Sequence, residues 1–386
     1  MGKQVVKNQK IAIAAPLYPP EIGGPATYVQ MLEEELRARG YELNVVPFSK
    51  VRHLPKGVRH VLYVYKLLRS SYGCRLVYAL DPVSVGVPAY IVSRLTRKPL
   101  WIRLGGDYAW EQGQQRFGTT ETLDEYTSNK KAASWPVRFL AALQGFVTRG
   151  AARVVIPSEY MKRIVATWGV DPQRLSVVYS ALQPLSVKLE KNDYRKRFGF
   201  SGKVILSSGR LVPWKGFEVL IEVVEKLRAQ YPDVLLLIAG DGPQKGTLHE
   251  KIAEAGLSQN VRLLGRLPKE QLGEYIVAAD LFVLNTAYEG LSHQLLEVMD
   301  LGTPVVTTAV GGNVELIEDG RSGFLVDYNN AEALEERILE LLENDSLAAE
   351  SASEAKGRLV DFSREATVAK LISLLEGWFV YEGSGY

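Results

Sequence analysis

Short hydrophobic runs alternate with longer amphipathic stretches along most of this chain. Runs such as Lys10–Ala15, Leu100–Leu104 and Val204–Ser207 are predominantly apolar, as expected of strands that are buried on both faces of a parallel sheet. Each run is followed by a loop, often rich in glycine or proline, and then by a segment whose apolar residues recur three or four positions apart, which indicates a helix. The repeated order of strand, loop and helix predicts an α/β protein with parallel sheets.

The clearest unit of this kind surrounds Tyr288–Gly302 (YEGLSHQLLEVMDLG). Gly290 permits a tight turn, Ser292 is a good helix N-cap, and Gly302 suits the C-terminal end of the helix. Hydrophobic runs before and after this segment predict strands, so the turn lies at the carboxyl end of a parallel sheet, where such sheets bind ligands. The unpaired N–H groups of the helix start make it suitable for a phosphate.

Two glutamates flank this helix start, Glu289 before it and Glu297 within it. The climb from Ser292 to Glu297 is about 7 Å at helical rise, so Glu297 can lie beside a group attached to a bound phosphate, such as a ribose. Glu289 would then face whatever lies on the other side of the phosphate. A surface loop followed by an ordinary amphipathic helix, with Glu297 exposed, explains the same pattern.

Glycine-rich loops follow two other predicted strands. Gly23 and Gly24 leave bare backbone that can approach a diphosphate or an acceptor closely, although their spacing lacks the pattern G-x-G-x-x-G and a flexible crossover loop is equally compatible. A helix is predicted after this loop at Tyr28–Arg39. Gly240, in IAGDGP, is interpreted as mainly structural. Phe117–Lys131 is polar and predicts an irregular, mobile loop.

The sequence SSGRLVPWKG places two cations, Arg210 and Lys215, between a strand and a long helix. Fixed cations of this kind can stabilise the charge that grows on a departing phosphate group. Solvated surface charges at a helix entry are the alternative.

The segment EGLSHQLLEVMDLGTPVVTTAVGGNVELIEDGRSGFLV resembles the signature of retaining glycosyltransferases of family 4, which have the GT-B fold. The resemblance continues through SSGRLVPWKG and IAGDGP and back to GGPATYVQMLEEELRARGYEL, so it extends over nearly the whole chain. It implies two Rossmann-like, doubly wound domains that face each other across a cleft. Residues 1–186 would form the acceptor-side domain and 187–363 the nucleotide-sugar donor domain, while 364–386 would form a helix that crosses back to the first domain.

The resemblance also implies roles for individual residues. Arg210 and Lys215 would neutralise the leaving diphosphate in place of a metal, since the chain has no Asp-x-Asp pair. Glu289 would hydrogen-bond the sugar hydroxyls and support an oxocarbenium-like transition state, and Glu297 would hold the ribose. The other residues that the resemblance places on the donor are Gly23, Gly24, Gly209, Gly240, Arg266, Leu267, Gly290, Leu291 and Ser292.

Family members commonly have a histidine near the donor sugar and the acceptor, where this chain has GGDYAWEQ. Asp107 would take its place as an acceptor-orienting base or a charge stabiliser. Asp107 is equally suited to cap the helix that begins YAWEQ. The sequence leaves both interpretations open.

Charge is divided unevenly along the chain. Residues 1–185 contain 25 Lys and Arg against 13 Asp and Glu, whereas the remainder contains 21 against 31. The first domain is therefore expected to meet something anionic. Its helix at Val58–Ser70 has Val61, Leu62, Tyr65 and Leu68 on one side and basic residues around them, which is typical of an interfacial helix. A helix packed on the sheet, with its lysines and arginines solvated, is at least as compatible.

The remaining composition narrows the class of protein. The 386 residues and 46% hydrophobic content suit two cores. Cys74 is the only cysteine, which excludes an internal disulfide and suits a reducing cytoplasm. No apolar run approaches the roughly 20 residues of a membrane span, and the N-terminal sequence is interpreted as a first strand, not as a signal peptide. We expect a cytoplasmic protein, with contact to the inner face of an anionic membrane through Val58–Ser70 as a hypothesis.

The function that the resemblance implies is a retaining, metal-independent transfer of a hexose from a UDP- or GDP-sugar to a hydroxyl acceptor, such as a lipid-linked glycan or a polysaccharide precursor. No cofactor and no nucleic acid are expected. A nucleotide-sugar epimerase is one alternative; it would need acids and bases around the sugar in both domains and no acceptor. A non-catalytic nucleotide-sugar-binding protein is the other; it would keep Glu297 but have no use for Asp107 or the two cations.

Overall fold

The computed structural model of the chain describes residues 9–21, 23–129 and 132–383. These residues pack as two compact units. One comprises the described residues up to Ser180 together with those from Thr367 onward, and the other comprises Ala181–Ala366. Each unit is built on one parallel six-stranded sheet. No helix within the three described ranges combines the length and the apolar character needed to cross a bilayer.

The sheet of the first unit has the strand order β2-β1-β3-β4-β5-β6. Its strands are β1 (Lys10–Ala15), β2 (Glu42–Pro47), β3 (Leu76–Ala79), β4 (Leu100–Arg103), β5 (Arg153–Ile156) and β6 (Leu175–Val177). β1 pairs in parallel with β2 through Ile11 and Leu43, and with β3 through Ile11 and Leu76. β2 is added on one side of β1, and β3 to β6 are then added in turn on its other side. The loops after β1 and β3 therefore diverge, which leaves a crevice at the carboxyl edge of the sheet.

In the part of the chain that the structure describes, eight α-helices accompany this sheet before the second unit begins. They are α1 (Gly24–Ala38), α2 (Ser49–Arg52), α3 (Lys56–Ser70), α4 (Gly86–Thr96), α5 (Tyr108–Arg116), α6 (Leu123–Ser128), α7 (Trp135–Arg149) and α8 (Glu159–Ala166). Because parallel crossovers are right-handed, the strand order places α1 on one face of the sheet and α3, α4, α7 and α8 on the other. α3 packs on α4, and α4 packs on α7.

The start of α1 differs from the prediction. The helix begins at Gly24, ahead of the predicted start at Tyr28. Pro25 lies in the first turn, where its missing N–H is not needed for the helix, so the Gly-Pro sequence opens the helix instead of delaying it.

The stretch Phe117–Lys131, predicted to be irregular, contains the short helix α6. Its N-cap, Thr122, accepts a hydrogen bond from the Glu125 N–H, and the Glu125 carboxylate accepts one from the Thr122 N–H at 2.8 Å. This reciprocal pair is a capping box, and its T-x-x-E pattern is present in the sequence. Residues 130 and 131 of the predicted loop lie outside the described residues.

The sheet of the second unit has the strand order β12-β11-β10-β7-β8-β9. Its strands are β7 (Val204–Ser208), β8 (Leu235–Ala239), β9 (Val261–Gly265), β10 (Leu281–Leu284), β11 (Val305–Thr308) and β12 (Phe324–Val326). All pairings are parallel, and every residue of β7, β8, β10 and β11 is buried. The direction of strand addition reverses between β7 and β10, so the loops after these two strands enclose the crevice of this sheet.

The helices of the second unit are α9 (Lys191–Phe198), α10 (Phe217–Leu227), α11 (Lys245–Glu254), α12 (Lys269–Ala278), α13 (His293–Leu301), α14 (Asn313–Leu316), α15 (Ala331–Glu343) and α16 (Asp345–Gly357). α10 shows how they are held. Its side chains Phe217, Leu220, Ile221 and Val224 are buried against the sheet and against α15. Burial of such a side chain stabilises the fold by about 1.5–3 kcal/mol each.

The last helix, α17 (Arg364–Gly383), packs with the first unit. The ring of Trp378 meets the ring of Trp101 edge-on, with 5.8 Å between the centroids. Phe379 lies 6.5 Å from the ring of Tyr41 and beneath the guanidinium of Arg75. The chain thus returns to the first sheet after it has completed the second.

Candidate active site

The crevice of the second sheet contains a buried ion pair. Lys215, from the loop after β7, donates to the carboxylate of Glu289, from the loop after β10. The two side chains are only 12% and 17% exposed. Because both charges are largely withdrawn from water, each offsets the desolvation of the other, and loss of either would leave an uncompensated charge.

One buried side-chain amide, that of Asn285, hydrogen-bonds the loop that carries Lys215. Asn285, at the end of β10, is fully buried. Its Nδ2 donates to the Gly216 carbonyl at 2.9 Å and to Asn329 Oδ1 at 2.8 Å, while its Oδ1 accepts from the Asn329 N–H at 3.0 Å. Gly216 has φ 52°, and a Cβ there would lie 2.2 Å from Asn285 Nδ2. Only glycine therefore fits over this amide.

A second set of hydrogen bonds joins the same two loops directly. The Ala287 N–H donates to the Trp214 carbonyl at 2.8 Å. Thr286 Oγ1 donates to the same carbonyl at 3.2 Å. The segments that carry Lys215 and Glu289 therefore behave as one rigid piece, since displacement of either would break hydrogen bonds in both.

The helix start predicted after Glu289 is present as α13. Ser292 is its N-cap, with Oγ accepting from the Leu295 N–H at 3.3 Å, and Gly302 ends it in the left-handed conformation at φ 76°. Both cap predictions are confirmed. No acidic residue lies in the first turn, so the positive end of the helix dipole is not neutralised there by its own side chains.

A pair of glycines after β11 supports the turn before α13. The Gly312 N–H donates to the Glu289 carbonyl at 2.9 Å. A Cβ on Gly311 would lie 2.0 Å from that carbonyl oxygen, and one on Gly312 would lie 2.5 Å from the Gly290 oxygen. The backbone of residues 289–290 therefore rests directly on the Gly-Gly backbone, which fixes the direction of the Glu289 side chain.

Glu297 lies one and a half turns into α13 and is 9% exposed. Lys269 Nζ, at the start of α12, lies 3.6 Å from its Oε1. Burial raises the pKa of Glu297, and the nearby Lys269 opposes that rise without cancelling it. Burial therefore destabilises the ionised form of Glu297, and the half-exposed Lys269 stabilises it in part.

This burial gives a prediction about stability. Well below pH 4.5, the ordinary pKa of a glutamate, Glu297 is protonated in both the native and the unfolded chain and has no effect on stability. As the pH rises, the unfolded chain ionises first, so the native state loses stability through this group. We expect Glu297→Gln to raise the thermal unfolding temperature of the ligand-free protein at neutral pH, with the gain shrinking toward pH 4.5.

Calorimetric melts at several pH values measure this effect. Glu222→Gln is a suitable control, because Glu222 pairs with Lys251 on the surface of the same unit. A Glu297→Gln variant that is less stable than the parent at neutral pH would show that the carboxylate contributes to folding.

Gly209 and Gly240 bring the ends of β7 and β8 into close contact. Their φ angles are 154° and 151°, and a Cβ on Gly240 would lie 1.8 Å from the Gly209 carbonyl oxygen. The Gly209 N–H donates to Ala239 and the Gly240 N–H to Gly265. The interpretation of Gly240 as mainly structural agrees with this geometry.

The remaining predicted donor residues of this unit lie around the same edge. Arg210 and Arg266 are exposed, Leu267 is half-buried and Leu291 is buried. Arg266 and Leu267 directly follow β9 and precede Lys269. The structure therefore brings the segment that contains Arg266 and Leu267 close to Glu297, through the contact of Lys269 with that carboxylate.

Three predicted residues belong to the first unit. Gly23 is the N-cap of α1 and Gly24 its first residue, in the loop after β1. Asp107 follows β4 and is fully buried. Its Oδ1 accepts from the Trp110 N–H at 3.0 Å and from Gln144 Nε2 at 2.8 Å. Asp107 therefore caps α5, which confirms one of its two interpretations; contact with an acceptor stays a prediction.

Sequence reasoning gave no role to Asn285, Asn329, Lys269 or the Gly311-Gly312 pair. Gly311 and Gly312 lie within the motif that was recognised, so a signal was present for them. Asn285 ends an apolar strand and has no local sign of its function, because its partners lie 69 and 44 residues away along the chain. Within the described ranges, no three His, Cys, Asp or Glu side chains converge as metal ligands would.

Two doubly wound parallel sheets define a protein of the GT-B fold, and the solved structures agree. HepE from Anabaena in complex with UDP-glucose superposes with a TM-score of 0.74 at 22% identity, covering 95% of this chain and 99% of that one. The family model described as glycosyl transferases group 1 matches residues 190–358, and that of the glycosyl transferase 4-like domain matches residues 42–181. The two matches together cover most of the chain and support a GT-B glycosyltransferase of group 1, family 4.

Two curated relatives illustrate the range of this family. The lipopolysaccharide core biosynthesis glycosyltransferase LpsE of Rhizobium meliloti is 35% identical over 173 residues, which is 45% of this chain and 49% of that protein. The GDP-mannose-dependent alpha-(1-6)-phosphatidylinositol monomannoside mannosyltransferase of Mycolicibacterium smegmatis is 32% identical over 194 residues, 47% of this chain and 50% of the relative. The chain thus matches about half the length of these relatives.

Proposed function

We propose that this protein is a retaining glycosyltransferase that moves a hexose from a nucleoside diphosphate sugar to a hydroxyl acceptor. The observation that carries the proposal is the pairing of Lys215 with Glu289 beside the capped start of α13, at the reversal of strand order in the second sheet. A cation, a carboxylate and a helix start at this place suit a ligand that has both a diphosphate and hydroxyl groups.

In this proposal the donor exchanges one ion pair for another. A diphosphate that reaches the start of α13 becomes the partner of Lys215, with Arg210 and the amides of Gly290, Leu291 and Ser292 around it. Glu289 is then released to accept hydrogen bonds from sugar hydroxyls and to stabilise positive charge on the reacting carbon. Negative charge on the leaving diphosphate grows as the C–O bond breaks, so the fixed cation stabilises the transition state more than the ground state.

Glu297 completes the donor site from the other side. Its carboxylate lies within α13 and is supported by Lys269, so it can accept hydrogen bonds from ribose hydroxyls. The backbone after Gly265, at Arg266 and Leu267, is proposed to receive the base. Because cations and N–H groups supply the charge at the diphosphate, we propose that no metal and no other cofactor is required, and that chelation with EDTA leaves turnover unchanged.

For Asp107 we propose a positioning role in place of direct contact with the acceptor. Its carboxylate is buried and already accepts from Trp110 and Gln144. Asn is as good an N-cap as Asp. We therefore expect Asp107→Asn to retain kcat within about threefold, whereas a base or charge-stabilising role would cost about 10²-fold or more. Steady-state kinetics with the parent as reference decides between these outcomes.

The experiment that tests the function is incubation of the purified protein with UDP- and GDP-linked hexoses, with and without hydroxyl acceptors, followed by mass spectrometry. Lipid-linked acceptors come first, because LpsE is named for lipopolysaccharide core synthesis and the mannosyltransferase for a phosphatidylinositol mannoside. Transfer that requires acceptor, with an NMR coupling constant that shows the donor's anomeric configuration, supports the proposal. Donor conversion without acceptor indicates an epimerase, and donor binding without turnover indicates a binding protein.

A further inference from the structure

The first unit has one face that differs from the rest of the described surface. Fourteen large apolar side chains are exposed in the described residues, and nine of them lie on α3, α4 and α7 or just after α3. These nine are Val58, Val61, Tyr65, Tyr72, Ile91, Leu95, Trp135, Phe139 and Phe146. We call the outward surface of these three helices the aromatic–basic face.

The three helices form one continuous layer on the side of the sheet opposite α1. α3 packs on α4 and α4 packs on α7. The rings of Tyr90, on α4, and Phe146, on α7, meet edge-on with centroids 5.1 Å apart, and Arg94 lies 4.9 Å over Tyr90. The exposed apolar residues of the three helices therefore share one surface.

The inward side of this layer is buried against the sheet. Tyr63 and Leu67 of α3 are fully buried, and Tyr63 Oη donates to the Val46 carbonyl at 2.7 Å. The helix thus packs on the sheet as one interpretation of its sequence predicted, and it still leaves Val58, Val61 and Tyr65 exposed. Packing of the core does not explain these exposed residues.

The charge of the aromatic–basic face has one sign. The sequences of α3, α4 and α7 contain seven lysines and arginines and no aspartate or glutamate. By contrast α1, on the opposite face of the same sheet, contains three consecutive glutamates, Glu33 to Glu35. A protein partner or a second copy would normally meet charges of both signs, whereas an anionic lipid surface attracts only the basic face.

Aromatic residues of the types that favour a membrane interface are exposed on this face. Trp135 is 75% exposed at the N-terminal end of α7, with its ring stacked on that of Phe139 at 6.0 Å, and Tyr72 is 87% exposed. Tryptophan and tyrosine favour the headgroup region of a bilayer, with aliphatic side chains below them and lysine or arginine around them. The exposed aliphatic residues of α3 and α4 have no counterpart in the recognition of a sugar-phosphate backbone.

We infer that the aromatic–basic face is a docking surface for an anionic lipid bilayer, with Trp135 and Phe139 as its inserted anchor. This goes beyond the proposed transfer reaction and does not depend on it. α7 leads into β5 and therefore runs antiparallel to the strands. Its first residue, Trp135, thus lies toward the carboxyl edge of the sheet, the edge that also carries Gly23 and Asp107. Docking through this end would bring that edge of the first unit close to the membrane surface.

The test is flotation of the full chain with vesicles of phosphatidylcholine alone and with a third of phosphatidylglycerol. We expect binding to the anionic vesicles only, and weaker binding in high salt. The double variant Trp135→Ala, Phe139→Ala is expected to lose at least tenfold in binding, and Arg138→Ala about fivefold. The matched control is Lys356→Ala, Val360→Ala, which removes an exposed cation and an exposed valine from the second unit and should bind as the parent does.

Tryptophan fluorescence gives an independent measurement. Trp135 is exposed, whereas Trp101 and Trp110 are buried, so a blue shift on vesicle binding should disappear in Trp135→Phe while flotation persists. Absence of binding to anionic vesicles, equal binding of the double variant, or a dimer that the double variant abolishes would each overturn the inference. UDP-induced thermal stabilisation, measured on every variant, reports folding and donor binding separately, so failure of the proposed function would be seen apart from failure of docking.

Discussion

Lys215→Ala is expected to lower kcat by about 10²-fold or more, the usual loss when one preorganised partner of a developing negative charge is removed. Lys215 is the only described lysine or arginine that forms an ion pair with Glu289. Its removal would leave the leaving diphosphate without this cation and Glu289 without its partner in the ligand-free state. KM for the donor should change less than kcat, because the charge on the diphosphate is greatest in the transition state.

Lys251→Ala is the matched control for this prediction. Lys251 forms an ion pair with Glu222 on the surface of the same unit, so the variant also removes a lysine from a lysine–glutamate pair but leaves the crevice intact. We expect its kinetics to equal those of the parent. The expected 10²-fold loss corresponds to about 2.7 kcal/mol of transition-state stabilisation. A Lys215→Ala variant with a kcat within about threefold of the parent would show that Lys215 does not supply it.

The elements of the fold were predictable because their signals are local. The apolar runs of β7 and β10 and the caps of α13 each depend on a few consecutive residues, and the structure places them where the sequence did. The start of α1 at Gly24 and the helix α6 were missed, although Pro25 and the T-x-x-E box gave signals for both. These errors come from overlooked local chemistry, not from the tertiary structure overriding a local preference.

The support of the site was not predictable in the same way. The sequence indicates Lys215 and Glu289 as charged residues near strand ends, but their pairing depends on β7 and β10 being neighbours in the sheet. Likewise, the burial of Asp107 depends on Gln144, which lies 37 residues further along the chain. Such contacts are set by strand order, which one sequence does not display.

Asn285 supports the loop that carries Lys215 through three hydrogen bonds. It is not among the residues predicted to bind the sugar donor. Its side-chain amide nevertheless binds the carbonyl of Gly216, the residue after Lys215, and the backbone N–H of Asn329. Asn329 itself has φ 59°, a conformation that asparagine tolerates better than most residues. A charged side chain that must meet a developing charge within a fraction of an ångström needs this kind of support from a group that makes no contact with the substrate.

We therefore expect Asn285→Ala to reduce both stability and turnover. The variant leaves the Gly216 carbonyl with only the Leu220 N–H, at 3.4 Å, and removes the acceptor of the Asn329 N–H, at a cost of roughly 1–3 kcal/mol in the free energy of unfolding. Release of the loop would misplace Lys215, and displacement by about 1 Å can lower turnover on the order of 10²-fold. Denaturant unfolding and steady-state kinetics, both at a temperature where the variant remains folded, measure the two effects.

Asn260→Ala separates loss of stability from loss of position. Asn260 is also a buried asparagine of the second unit, and its Nδ2 donates to the carbonyls of Pro232 and Val234, both at 2.9 Å. It directly precedes β9 and so lies at the amino edge of the sheet, opposite the crevice. We expect Asn260→Ala to lose comparable stability and to keep the parent's kcat. Equal losses of kcat in the two variants would mean that turnover follows stability alone, and that the amide of Asn285 has no special part in holding Lys215.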